Sequence, residues 1–241
     1  AHQTKNTVVI TPYLSSSYLI LSYLSYLSLF ILAFWINSRN PKMNRREECL
    51  VITRRGPDIV ILTTGGNDIG FSDIINALVH DSARFDVSLI DMRFFFVSHQ
   101  LDLVAKRLAA LGTKNVFVPQ YFDFTKNHHG EVDANCIASK EVCRSLYGEL
   151  TMTFAERRIL RRLNLLLLKK GMEHGWHVAS GIPSLFAQHG ICSSQSYIRS
   201  RSESIAMQGN TMGAFHPNEV GHLAVSNEIL KLIRMACTTG I

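Results

Sequence analysis

The stretch Asp58-Ile59-Val60-Ile61-Leu62-Thr63-Thr64-Gly65-Gly66-Asn67-Asp68 constrains the fold more than any other part of this chain. Four consecutive apolar residues with β-branched character read as a strand buried on both faces. The two glycines then permit a tight turn. They leave an amide, Asn67, and a carboxylate, Asp68, at the strand's carboxyl edge, where open α/β sheets hold their ligands. Far downstream, Phe215-His216-Pro217-Asn218-Glu219-Val220-Gly221-His222 places a histidine immediately before a helical pattern. An amide N–H is a donor to a developing oxyanion, and an imidazole titrating near neutrality is a general base. These are two of the three parts needed for acyl transfer through a serine.

Between the two segments the pattern alternates. Residues 58–63 form a strand, a short helix opens near Ser72-Asp73, and a helix over residues 99–111 starts at Ser98 and stops at Gly112. Residues 115–119 form the next strand. A long helix begins at Thr153, where Thr153-Phe154-Ala155-Glu156 has the form of a capping box. Residues 176–179 form a further strand, and residues 219–235 the last helix. Phe94-Phe95-Phe96 is read as core or edge strand within an ambiguous stretch, 85–97. Such β-α alternation predicts a parallel sheet covered by helices on both faces.

The quoted residues resemble a known family. Residues 57–71 look like the third conserved block of the SGNH hydrolases, the GDSL esterases and lipases, and Gly213-Ala214-Phe215-His216-Pro217-Asn218 with Gly221-His222 looks like their fifth. Leu163-Asn164, Gly175-Trp176 and Phe186-Ala187-Gln188-His189-Gly190-Ile191-Cys192 resemble the intervening segments of secreted bacterial-type members. The likeness runs from about Gly56 to Ile233. It implies a three-layer α/β/α domain with a parallel, flavodoxin-like sheet. It also implies an ester substrate, either a small molecule or a lipid, with His216 as base, Asn67 and Gly66 in the oxyanion hole, and no cofactor. Cysteines placed like Cys136 and Cys143 tend to be bridged in the secreted relatives, so a disulfide between them is expected on that resemblance.

The departures matter as much. The family's nucleophilic serine stands in Gly-Asp-Ser at the end of the first strand, and that tripeptide occurs nowhere in the 241 residues. The nucleophile is therefore unassigned and the first strand is expected to be missing. No convincing match exists for the second-block glycine, Gly56 being the one glycine in that region. Where many members place an aspartate three residues before the histidine, this chain has Gly213.

Residues 1–42 differ in character from residues 43–241, which are read as the hydrolase-like domain. Ser15-Ser16-Ser17 opens a low-complexity stretch, and no charge falls between Lys5 and Arg39. The apolar run from Tyr18 to Ile36 approaches the roughly 20 residues that cross a bilayer, so a transmembrane helix and membrane association are expected of it. The alternatives are an artefactual extension, in which a misjoined gene product has lost the first block, and an apolar core or signal segment. The basic flank Arg39, Lys42, Arg45, Arg46 would keep the domain on the cytosolic side, whereas the resemblance suggests secretion. Membrane or extracellular location thus stays open. Ser15 to Ser17 make a poor substitute nucleophile, since Pro12-Tyr13-Leu14 offers no glycine for the sharp turn.

The net charge of +6 invites an anionic partner. Arg157, Arg158, Arg161, Arg162, Lys169 and Lys170 gather on the helix after Thr153, but no nucleic-acid module accompanies them and a solvated face is expected. No Cys-x-x-Cys pair occurs, and neither His216 with His222 nor His174 with His177 has accompanying ligands at metal spacing. No metal is expected. The reading is an SGNH-type ester hydrolase domain, inactive as it stands for want of its serine. The alternative is a non-catalytic, membrane-anchored domain that keeps the scaffold for binding.

Overall fold

A computed structural model of the chain describes the backbone of strands Tyr18–Tyr23 and Leu29–Phe34, and residues 57–71, 88–133 and 153–239. The strands are β1 (Tyr18–Tyr23), β2 (Leu29–Phe34), β3 (Ile59–Thr63), β4 (Asn115–Pro119) and β5 (His177–Ala179), in sheet order 1-2-3-4-5. The described helices are α1 (Ser88–Ala110), α2 (Arg161–His174), α3 (Ile182–Phe186), α4 (Arg201–Gln208) and α5 (Glu219–Thr239). A π-helical turn, Ala155–Leu160, runs directly into α2.

Strands β3, β4 and β5 are parallel, with Ile59 opposite Asn115, Ile61 opposite Phe117, and Phe117 opposite His177. Helical crossovers make this possible: α1 carries the chain from β3 to β4 and α2 from β4 to β5. The sheet is not parallel throughout. β2 pairs antiparallel with β3, Phe30 opposite Thr63, and β1 pairs antiparallel with β2.

That pairing corrects the expectation for the amino-terminal region. Tyr18–Tyr23 and Leu29–Phe34 are two sheet strands and not one membrane-crossing helix, and no described helix is long and apolar enough to cross a membrane. Each strand is 6 residues, so the apolar run satisfies its backbone groups by strand pairing. The expectation of a disulfide finds no support among pairs of described residues. No disulfide joins two described residues, and Cys136 and Cys143 both lie outside them, as do Ser15 to Ser17 and the helix expected near Ser72. Among the described cysteines Cys237 is a free, exposed thiol, and the bridged one is Cys192.

Strand alternation divides the core. Val60, Leu62, Val116 and Val118 turn to one side and meet Phe94, Val97, Leu101 and Leu108 of α1 and Leu163 and Leu167 of α2. Ile59 and Phe117 turn to the other and meet Ala236 of α5, with Leu232 and Ile233 beside them. Helix α1 begins well before the expected residue 99, because Ile90, Phe94, Val97, Leu101 and Ala105 form one buried helical stripe. Phe94-Phe95-Phe96 therefore lies in a helix, with Phe94 buried and Phe95 78% exposed. The capping box expected at Thr153 is absent: Glu156 pairs with Lys126 at 2.9 Å instead.

Candidate functional site

The turn after β3 closes on its own backbone. Ile69 N–H donates to Gly65 O and Phe71 N–H to Gly66 O, both at 3.0 Å, and Gly70 N–H donates to Asn67 O at 2.9 Å. Gly65 has φ +96° and Gly70 φ +81°, the left-handed region that favours glycine. With its main chain thus committed, the turn leaves the Asn67 side chain exposed at the carboxyl edge of the sheet. That amide makes no hydrogen bond among the described residues.

Gly66 is placed differently. Its N–H donates to Tyr121 Oη at 2.8 Å, so the donor assigned to an oxyanion already has a partner. A Cβ at Gly66 would lie 2.7 Å from the Tyr121 ring and hydroxyl. Tyr121 follows β4 and is clamped by Asn164 of α2. Tyr121 N–H donates to Asn164 Oδ1 at 2.7 Å, Asn164 Nδ2 donates back to Tyr121 O at 2.8 Å, and Gln120 Nε2 donates to Asn164 O at 3.0 Å. Burial pushes the Tyr121 phenol up to about 12; the Gly66 N–H opposes that shift and the Asp68 charge adds to it. Neither Tyr121 nor the clamping role of Asn164 was found from the sequence. No local pattern marks Asn164, because its partner lies 43 residues away.

The His216 turn is pinned to the segment before α4. Phe215 N–H donates to Arg199 O and Arg199 N–H to His216 O, both at 2.9 Å, while Pro217 bridges Ile198. Phe215 has φ +64°, the one non-glycine residue described in the left-handed region. His216 is exposed, and its Nδ1 lies 3.0 Å from Ala214 O. A carbonyl oxygen only accepts, so Nδ1 carries the proton of this bond, and in the neutral imidazole the lone pair is then on Nε2. Gly213, three residues before His216, admits a side chain only if the exposed end of Gln208 shifts. The Gly213 N–H donates to the buried Ser204 Oγ at 3.0 Å, and a Cβ there would sit 2.8 Å from Gln208 Nε2.

The rest of the histidine motif is architectural. Asn218 caps α5 by accepting Gly221 N–H at 2.9 Å and donates its Nδ2 to Ser196 O at 2.7 Å. Gly221 is needed because a Cβ would approach Tyr197 O to 2.3 Å. His222, exposed on α5, donates its N–H to Asn218 O.

Phe124 links the two turns. Phe71, closing the first, stacks edge-on against it at 5.6 Å between centroids, and Phe215 in the second lies at 6.0 Å. The segment between residues 186 and 192 supports the same place, since Ile191 N–H donates to Phe124 O at 2.9 Å. Phe124 lies five residues beyond the carboxyl end of β4, so both turns pack on one ring past that strand.

The other histidines are engaged elsewhere. His177 stacks on Phe117 at 4.8 Å, and His128 and His129 are exposed in a loop. His174 Nε2 meets Asp102 Oδ1 at 2.8 Å. Asp102, Glu173 and His174 bring three ligand-type atoms within 4.8 Å, but Lys170 Nζ occupies the cluster, 2.7 Å from Asp102 and 2.9 Å from Glu173. Its ammonium supplies there the positive charge that an ion would bring. Hydrogen bonding to Lys170 holds both carboxyls below their ordinary range. No protein-family model matches this chain, nor does any curated protein.

Proposed function

We propose that the chain carries the SGNH-hydrolase scaffold and that the carboxyl edge of its parallel strands is the base-and-oxyanion half of an ester-hydrolase site. The reading rests above all on the bond from His216 Nδ1–H to Ala214 O, which leaves Nε2 as an outward-facing base on a turn packed against the same phenylalanine as the Asn67 turn. Nε2 takes the proton of an attacking hydroxyl as its oxygen bonds to the ester carbonyl. The carbonyl electrons move onto oxygen, where the Asn67 amide N–H meets the charge. One such donor is worth about 3 kcal/mol in the transition state. Substrates are esters of small acids or lipids.

The absence of Gly-Asp-Ser supports a second reading, in which these 241 residues by themselves are a non-catalytic scaffold. The position beside β3 is filled by β2, which runs antiparallel and so points its carboxyl end away from the Asn67 edge.

The full chain is expected to turn over a short-chain nitrophenyl ester negligibly. Replacing the residues before Met43 with a parallel strand ending in Gly-Asp-Ser should confer hydrolysis, and His216→Ala in that protein should remove about a thousandfold or more of it. Activity in the grafted chain that ignores His216→Ala would defeat the assignment. Activity in the unaltered chain that His216→Ala removes would mean that one of its own hydroxyls serves as nucleophile, and the scaffold reading would fall.

A further inference from the structure

Away from the sheet edge, a cleft of about 490 Å³ opens between α1 and the start of α2. Its lining is Asp91, Arg157, Arg158, Arg161, Arg162 and Leu165, four guanidiniums against one carboxylate. The π-helical turn Ala155–Leu160 contributes two of these arginines and α2 the other two. Single π-turns inside helices mark functional sites more often than ordinary helix does. The sequence alone suggests a solvated basic face; the structure makes it one wall of a concavity.

The four arginines are not equivalent. Arg162 is fixed from two sides, by an ion pair from Nη1 to Asp91 Oδ1 and by lying 4.3 Å over the Phe94 ring. Arg157, Arg158 and Arg161 are exposed and make no ion pair among the described residues. Like charges gathered one helical turn apart repel one another. Lys170, five residues past Leu165, shows the contrasting solution: it turns inward and pairs with Asp102 and Glu173. Around the cleft, three forks make no ion pair among the described residues, beside a fourth already oriented and an apolar wall from Leu165.

We propose that this cleft binds a phosphoryl group, the tetrahedral anion of a phosphate monoester. Planar guanidiniums match that shape with paired N–H donors, and several can share its three terminal oxygens. Asp91 would act through Arg162, holding its guanidinium in place, and would not touch the anion. The assignment stands independently of the ester-hydrolase reading, because it uses none of the residues around His216 and Asn67.

The test uses the full chain and two probes, glycerol 3-phosphate followed by calorimetry, and phosphatidylcholine vesicles with or without phosphatidic acid followed by co-sedimentation. The Arg157→Gln/Arg161→Gln variant should bind glycerol 3-phosphate at least about tenfold more weakly than the parent. A variant with the same charge removed from α5, Lys231→Gln/Arg234→Gln, should bind as the parent does. Association with phosphatidic acid vesicles that only the Arg157/Arg161 variant loses would identify the phosphoryl source as a lipid headgroup and keep the site. Arg157→Lys/Arg161→Lys, which keeps the charge and removes the forks, should fall between parent and double glutamine variant. No binding of either probe, or equal loss in the α5 variant, would overturn the proposal.

Discussion

Two turns rest on the Phe124 ring, and they reach left-handed backbone by different means. The Asn67 turn does so with Gly65 and Gly70, residues that lose nothing by it. The His216 turn forces Phe215 there, at a cost of about 1–2 kcal/mol. What holds Phe215 is on both sides of it: the two hydrogen bonds to Arg199 and the edge contact with Phe124. The relaxed turn exposes a neutral amide, whereas the strained turn exposes a base and bonds its Nδ1 to a carbonyl two residues back. Strain next to a titratable side chain is where an outlier points to function and not to accident.

The largest expected effect tests how rigidly each turn is enclosed. A Cβ at Gly221 would meet the Tyr197 carbonyl at 2.3 Å and Pro217 Cβ at 3.0 Å, backbone and ring that cannot step aside. Gly221→Ala should cost about 3 kcal/mol in urea unfolding. At Gly66 the obstacle is a side chain, Tyr121, which can retreat by giving up its bond to the Gly66 N–H; Gly66→Ala should cost less, about 2 kcal/mol. The reverse order would mean that the Asn67 turn, not the His216 turn, is the more tightly built.

Tyr121→Phe isolates the polar part of the first enclosure. It leaves the Gly66 N–H without its acceptor and should destabilise by about 1–2 kcal/mol at neutral pH. The phenol also gives a pH signature. Its pKa is about 12 in the fold against about 10 for an unperturbed tyrosine, so the folded state holds the proton more tightly. This contribution is whole below pH about 10 and is lost as pH rises towards about 12. The parent should therefore weaken over that window more steeply than Tyr121→Phe. Parallel stability profiles for the two proteins would show that the phenol is not enclosed as described.

Much of the fold was legible because it depends on short-range pattern. The apolar run at residues 59–62 and the strand at 115–119 announce themselves, and the glycines at 65 and 66 mark the turn between strand and site. The start of α1 was misplaced because three adjacent phenylalanines looked like a strand, although Ile90, Phe94, Val97 and Leu101 recur at helical spacing. Length misleads at Tyr18 to Ile36: one apolar run of membrane-crossing size contains two 6-residue strands. The capping-box pattern at Thr153 does not close, because Glu156 has a distant partner in Lys126, whereas the same pattern at Ser200 closes with Glu203. Within the site, Asn67 and His216 were visible from their neighbours. Tyr121 was not, because its partner Gly66 is 55 residues earlier and no local pattern joins them.

The smallest expected effect addresses the strain at Phe215 itself, and it needs two variants because removing the ring also removes the contact with Phe124. Phe215→Ala and Phe215→Gly both lose that edge contact and the same buried aromatic surface. They differ in one respect: alanine retains the Cβ that disfavours φ +64°, and glycine does not. Glycine carries the opposing penalty of a more flexible unfolded chain, somewhat under 1 kcal/mol. If Phe215 is held in the left-handed region, the two effects leave Phe215→Gly more stable than Phe215→Ala by about 0.5–1 kcal/mol. Were the turn free to relax once the ring is gone, only the flexibility penalty would remain and Phe215→Ala would be the more stable protein. The order of two midpoints in denaturant thus reports whether Arg199 and Pro217 hold the turn unaided. The ¹⁵N shifts of His216 in the same proteins should keep the pattern of a protonated Nδ1 only in the variant whose turn survives.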